Sequence, residues 1–230
     1  MQNAESTSTG ARSRATASSS PPTSSETTGE TPEVFARLAD PAHNVAVWRR
    51  ELPAEITCVL AAAPLVPGCI DRVVRMGAEA PLTPFGELVP EAARAWFLRD
   101  LELLARAFQQ ISSASAFAAC LSVVDSDSCR KFHVDHLRLR LLCTYRGPGT
   151  EWLADADVDR NGFDLDDHDA EAVNARIVRS PYAVRHAHAG DVVLLKGETW
   201  PGNGGRGAVH RSPPVVAQKL VRLVFKLSLR

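Results

Sequence analysis

The run Phe132-His133-Val134-Asp135-His136-Leu137-Arg138-Leu139-Arg140-Leu141-Leu142-Cys143 constrains this chain more than any other stretch. Its period of two predicts a strand, with His133, Asp135, Leu137, Leu139, Leu141 and Cys143 on one face and Val134, His136, Arg138, Arg140 and Leu142 on the other. An imidazole and a carboxylate two residues apart then point the same way, onto a face that continues as apolar. Burying a carboxylate with no partner is costly, and a divalent metal removes that cost. A His-x-Asp pair needs at least one more ligand, and His210 in Gly207-Ala208-Val209-His210-Arg211-Ser212-Pro213 is the best candidate. Two histidines and one carboxylate make a facial triad, a ligand set suited to non-heme Fe(II) with positions left open.

The texture around that run is β from Ser115 onward. Phe117 to Val124 predicts one strand, Thr150 to Leu153 a short one after the turn Arg146-Gly147-Pro148-Gly149, and Val192 to Lys196 a buried one after the turn Gly190-Asp191. A glycine-rich loop from Gly197 to Gly207 leads to His210, and Leu220 to Leu229 closes the chain as a strand. Many short strands separated by Gly and Pro turns suggest a β-sandwich or barrel. The half from 31 to 114 predicts mainly helix, clearest from Pro90 to Phe108, where Trp96, Phe97, Leu101, Leu104 and Phe108 recur at three and four. Pro41 to Trp48 reads as a short strand or turn ahead of a helix, and Pro64, Pro67, Pro81 and Pro84 interrupt the middle of this half. Residues 1–30 are dominated by Ser, Thr, Ala, Gly and Pro with almost no large apolar side chain, so a disordered tail is expected. A transit peptide would need an apolar helical face that the segment lacks. The expected organisation is thus a tail over 1–30 and one domain over 31–230.

Charge excludes several partners. With 26 basic and 27 acidic side chains in 230 residues, the chain offers no polycation for nucleic acid or an anionic membrane. Its five cysteines are odd in number and lack CxxC spacing, which argues against a secreted disulfide framework and for a reducing cytoplasm. No continuous apolar run is long enough to span a bilayer.

Each other motif has a plainer reading. His136 falls on the face opposite the pair by parity, so it belongs at the surface or behind the ligands. A zinc cluster of Cys129, His133, His136 and Cys143 would need ligands from both faces of one strand. His186 and His188 lie near a strand end, either solvated or at a pocket mouth. Gly202 to Gly207 matches GxGxxG literally but precedes a strand rather than a helix, which favours a substrate loop or lid over a dinucleotide site. Glu151 and Trp152 are placed either over the site or, for Trp152, in the core. None of the cysteines has a recognisable histidine partner, so packing is their expected role.

The order of these parts, an HxD pair, a Gly-Asp turn before an apolar strand, a distal His followed by Pro, and an Arg twelve positions beyond, resembles the double-stranded β-helix of the cupin and 2-oxoglutarate/Fe(II) oxygenase superfamily. The resemblance covers about residues 115–230. It implies a jelly-roll, cupin-like core and leaves the helical half unexplained; with that half packed on the outside of the strands, as their pattern suggests, the expected class is α+β. It also implies Fe(II) on His133, Asp135 and His210, and 2-oxoglutarate with its far carboxylate on Arg222. More narrowly, FHVDHLRLRLLCTYRGPGTEWL, GDVVLLKGE, GAVHRSPP and RLVFKLSL resemble the bacterial proteins grouped as domain of unknown function 1826. That family is linked with zinc-responsive genes, so zinc on a non-catalytic binding protein is the alternative, with the substrate left open in either case.

Overall fold

Residues 25–77, 81–164 and 169–230 are described by the computed structural model. Strands form where β-branched and aromatic residues cluster. Seven of them build one large sheet: β1 (Glu26–Gly29), β2 (Val45–Trp48), β3 (Gly68–Arg75), β4 (Ala116–Val124), β5 (Leu139–Arg146), β8 (Val192–Lys196) and β10 (Arg222–Leu229). Their order is β1-β2-β8-β5-β10-β4-β3, antiparallel throughout except for β1 on β2. Three two-residue strands, β6 (Glu151–Trp152), β7 (Arg185–His186) and β9 (His210–Arg211), form a second sheet in the order β7-β6-β9. The helices are α1 (Ala54–Ala62), α2 (Glu91–Ser112) and α3 (Ala170–Ile177). Among the described residues no helix is long and apolar enough to cross a membrane.

The large sheet has two different faces. Ala46, Leu121, Leu139, Leu141, Cys143, Leu194, Leu223, Phe225 and Leu227 point to one side, where they pack under Phe97, Leu101, Leu104 and Phe108 of α2. That helix also carries Asp100, whose two carboxylate oxygens accept from Arg50 at 2.5 and 2.8 Å while Tyr145 of β5 donates its hydroxyl at 2.5 Å. A buried ion pair with a phenol attached fixes α2 across β5 as well as against it. On the other side Val45, Val47, Leu142, Val193, Leu195 and Val224 meet Trp152, Ala187 and Ala208 of the small sheet and its flanks. The small sheet covers β2, β8 and β5 but leaves much of β4 and β3 bare on this side, where Ala118 is exposed and Val73 is 62% exposed.

Three expectations need correction. Helix predominates over 31–114 as expected, but the proline-interrupted middle of that half also holds a strand, β3, which forms one edge of the large sheet. The disordered tail does not reach residue 30, because Glu26–Gly29 is a strand; residues 1–24 lie outside the described ones. Composition hid β1, since its order comes from partners far away: Glu26 accepts from Trp152 Nε1 at 2.7 Å and from Arg185 Nε at 2.6 Å. Third, the strand expected over 132–143 begins only at Leu139.

Candidate metal centre

The HxD pair sits on a bend just ahead of β5 rather than within a strand. His133 makes an isolated antiparallel bridge to His210, and Val134 to Arg138 then turn before β5 begins. What holds the bend is the segment after β8: Gly197, Glu198 and Thr199 donate their N–H groups to the carbonyls of Arg138 (2.9 Å), Asp135 (2.9 Å) and Leu137 (3.1 Å). The approach is close enough to require glycine, since a Cβ on Gly197 would lie 2.0 Å from the Leu137 carbonyl oxygen. The bend changes the parity that a continuous strand would have. Leu139, Leu141 and Cys143 face α2, whereas Arg140 and Leu142 face the side on which His133 and Asp135 lie.

His133, Asp135 and His210 converge, each offering one ligand atom within 4.8 Å of the others. Nε2 of His210 is 3.3 Å from Asp135 Oδ2, Nε2 of His133 is 4.0 Å from Oδ1, and the two rings are 4.5 Å apart. Each imidazole has its Nδ1 against a backbone carbonyl, Lys131 O at 2.9 Å and Ala208 O at 3.1 Å. Nδ1–H donating to those carbonyls leaves both Nε2 lone pairs free, the tautomer a metal needs. Burial, with His210 alongside, lowers the His133 pKa, which keeps that ring neutral. Burial pushes Asp135 the other way, but His210 and Arg140 outweigh it and hold the carboxyl well below the usual range. Two imidazoles with Nε2 turned inward and one carboxylate, all on one side of a shared point, therefore fit a divalent cation.

Arg140, assigned to the far face by parity, instead grips the carboxylate. Its Nε donates to Asp135 Oδ2 in a short contact and its Nη2 donates to Oδ1 at 3.1 Å, while Nη1 reaches Ser228 Oγ at 3.1 Å. Sequence reasoning missed this role because it depends on the bend. The nearest signal was an Arg five residues after the Asp.

Arg222 is where the parity of β10 places it, on the face shared with Val224, Lys226 and Ser228. It is 3% exposed and makes no ion pair among the described residues; Nε donates to Pro148 O at 2.7 Å and Nη2 to Thr144 Oγ1 at 3.5 Å. Burial lowers its pKa to about 10, so the guanidinium stays charged at neutral pH. A register shift between Leu223 and Val224 against β5 lies beside it. Arg222 lines the same cavity of about 200 Å³ as His133, Asp135 and His210. A wider cleft of about 1000 Å³ runs over β3, β4 and β10 and shares Asp135, Arg140 and Lys226 with that cavity.

The remaining candidates sort simply. His136 is exposed and lines the wide cleft rather than the triad. Cys143 is buried on the α2 side and Cys129 is exposed, so the four-ligand zinc cluster does not assemble. His186 and His188 stack edge to face at 5.6 Å, away from both cavities. Trp152 is core, and Glu151 pairs with Arg211 at 2.6 Å. Gly207 packs against Val134, so the glycine-rich loop props the ligand bend from behind.

Fold and site together define a mixed α+β protein with a His-Asp-His cluster at the margin between a large and a small sheet. The chain belongs to the family described as "Protein of unknown function (DUF1826)", which matches residues 29–228. Against curated proteins there is no match. Among solved structures, the chain is similar to a Pseudomonas putida prolyl-4-hydroxylase at 13% identity and a TM-score of 0.42, over 86% of this chain and 98% of that one. It is also similar to Neurospora crassa T7H in complex with alpha-KG and 5-formyluracil, at 11% identity and a TM-score of 0.40, over 86% of this chain and 77% of that one. A third is the Fe(II)/(alpha)ketoglutarate-dependent dioxygenase TqaL, at 13% identity and a TM-score of 0.38, over 76% and 71%.

Proposed function

We propose that this protein is a non-heme Fe(II) and 2-oxoglutarate-dependent oxygenase, with a double-stranded β-helix core and a substrate that enters by the wide cleft. The observation that carries the reading is a buried, charged Arg222, in no ion pair among the described residues, in the same small cavity as His133, Asp135 and His210. A buried guanidinium in no direct ion pair is costly, and a ligand carboxylate removes that cost.

His133, Asp135 and His210 would hold the Fe(II), leaving positions open toward the cavity. Iron held there would supply the one-electron and oxygen chemistry that no side chain offers. Arg140 keeps Asp135 ionised and aimed, and the two carbonyls accepting from Nδ1 orient both imidazoles with Nε2 toward the shared point. Arg222 would grip the distal carboxylate of 2-oxoglutarate with two parallel hydrogen bonds, at a depth that excludes water. Lys226 lines both the cavity and the cleft, so it would border both ligands.

The test is anaerobic titration of 2-oxoglutarate into the Fe(II) protein, followed by heat of binding and by the weak visible band of the complex. Arg222→Ala should weaken binding by about 2 to 5 kcal/mol with metal content unchanged, the loss expected when one side of a buried charge pair is removed. Metal bound stoichiometrically with no detectable 2-oxoglutarate binding would instead indicate a metal-binding protein without this activity.

A further inference from the structure

Among the described residues β3 is an open edge of the large sheet, paired with β4 alone, and of its eight residues all but Ile70 and Val74 are exposed. Which of its backbone groups face outward can be read from the ladder. Just beyond the last pair, Arg75 with Ala116, the N–H of Met76 donates to Ser115 O at 3.0 Å. In an antiparallel ladder hydrogen-bonded pairs alternate, so Val74, Arg72 and Ile70 turn their N–H and C=O groups toward β4. Cys69, Asp71, Val73 and Arg75 therefore present theirs to the outside. The Asp71 carbonyl bears this out, being met by Arg72 Nη1 at 2.8 Å rather than by β4. An edge of this length, with no proline and no bulge, is a template for another strand.

We infer that β3 pairs antiparallel with β3 of a second copy of this chain, with Val73 on the two-fold axis. A two-fold axis between antiparallel edge strands runs perpendicular to the sheet, so outward-facing residues meet outward-facing residues and each sheet face continues into its mate. With Val73 opposite Val73, Asp71 of each copy stands opposite Arg75 of the other, and both ion pairs lie on one face. The neighbouring registers are worse. Centring on Asp71, Arg72 or Arg75 sets like charges against each other, and centring on Val74 pairs neither Asp71 nor Arg75 with an opposite charge. The chosen register also covers Val73, 62% exposed in the single chain, and replaces the Arg72 contact on the Asp71 carbonyl with a ladder bond. A single ladder of this length buries less than a standard interface, so association in the micromolar range or weaker is expected. Because Asp71 and Val73 line the wide cleft, the second copy would extend the cleft floor and place its own Arg75 at the rim.

Sedimentation equilibrium of the full chain from micromolar to near-millimolar concentration, under reducing conditions, should show a monomer–dimer equilibrium. Val73→Pro removes an outward N–H without touching the β4 ladder and should abolish the dimer, with circular dichroism reporting that the fold is kept. Asp71→Arg and Arg75→Asp should each weaken association at least tenfold, and the double swap should restore it. In a Cys69→Ser background, Val73→Cys should oxidise to a covalent dimer, because paired residues in a hydrogen-bonded site stand about 5.5 Å apart. Arg75→Cys should not, since its mate would lie about 14 Å away. A chain that stays monomeric throughout, or a dimer untouched by Val73→Pro and by both charge reversals, overturns the inference.

Discussion

His133 and His210 exchange both backbone hydrogen bonds, each N–H donating to the other's carbonyl at 3.0 Å. Two segments separated by most of the β half are thus tied at one residue pair, and their rings come along as a unit. The distance between the two imidazoles is set by the backbone, before any ion is present. A centre built this way should bind metal with little reorganisation.

Substitution of any one of the three ligands should empty the centre. His133→Ala, Asp135→Asn and His210→Ala are each expected to lower metal content by at least tenfold in elemental analysis of protein purified without added metal. His136→Ala, exposed and outside the triad, should leave it unchanged.

Arg140 should matter nearly as much as a ligand. Arg140→Gln removes the donors that fix both Asp135 oxygens, and groups behind a ligand contribute about 10- to 100-fold in metal affinity. Calorimetric titration with a divalent metal should show that loss while the melting temperature of the apo protein moves only a little. An affinity equal to that of the wild type would mean the clamp is only a surface pairing.

Gly197→Ala tests the bend itself. Its Cβ would collide with the Leu137 and Asp135 carbonyls, forcing the strand end and the ligand bend apart. A cost of about 3 kcal/mol in denaturant unfolding is expected, at the upper end of overpacking effects, together with lost metal affinity.

Alkaline pH should loosen the α2 face before it affects the metal ligands. Burial pushes the Cys143 thiol from its ordinary 9.0 up to about 11 and raises the Tyr145 hydroxyl as well. Groups whose folded pKa is raised contribute stability that is complete below the ordinary value and lost as pH climbs through the folded one. Melting temperature should hold from neutral pH to about 9 and fall progressively toward 11 and above. Cys143→Ala should make the decline shallower.

The metal-site residues were legible because ligand chemistry concentrates in two short motifs, whereas their mounting was not. His133, Asp135 and His210 are chemically conspicuous, and Arg222 lies on a regular strand whose alternation survives in the fold. Arg140 was misplaced because alternation across Phe132–Cys143 assumes an unbroken strand, and the bend is imposed by Gly197–Thr199, some sixty residues later. β3 escaped notice because an edge strand guarded by Asp71, Arg72 and Arg75 lacks the apolar density of a buried one.

The clasp made by Glu26 has a consequence for how the molecule comes together and comes apart. One carboxylate at the start of the described chain holds Trp152 and, 159 positions downstream, Arg185, so it joins the large sheet's first strand to the small sheet. Contacts of such sequence separation form late, after both sheets exist, and they are the first to open in local unfolding. Among amides hydrogen-bonded within the large sheet, exchange should accordingly be fastest at β1. Removing the polar N-terminal region up to residue 30, as its composition invites, would delete that strand and leave the small sheet without one of its ties to the large one.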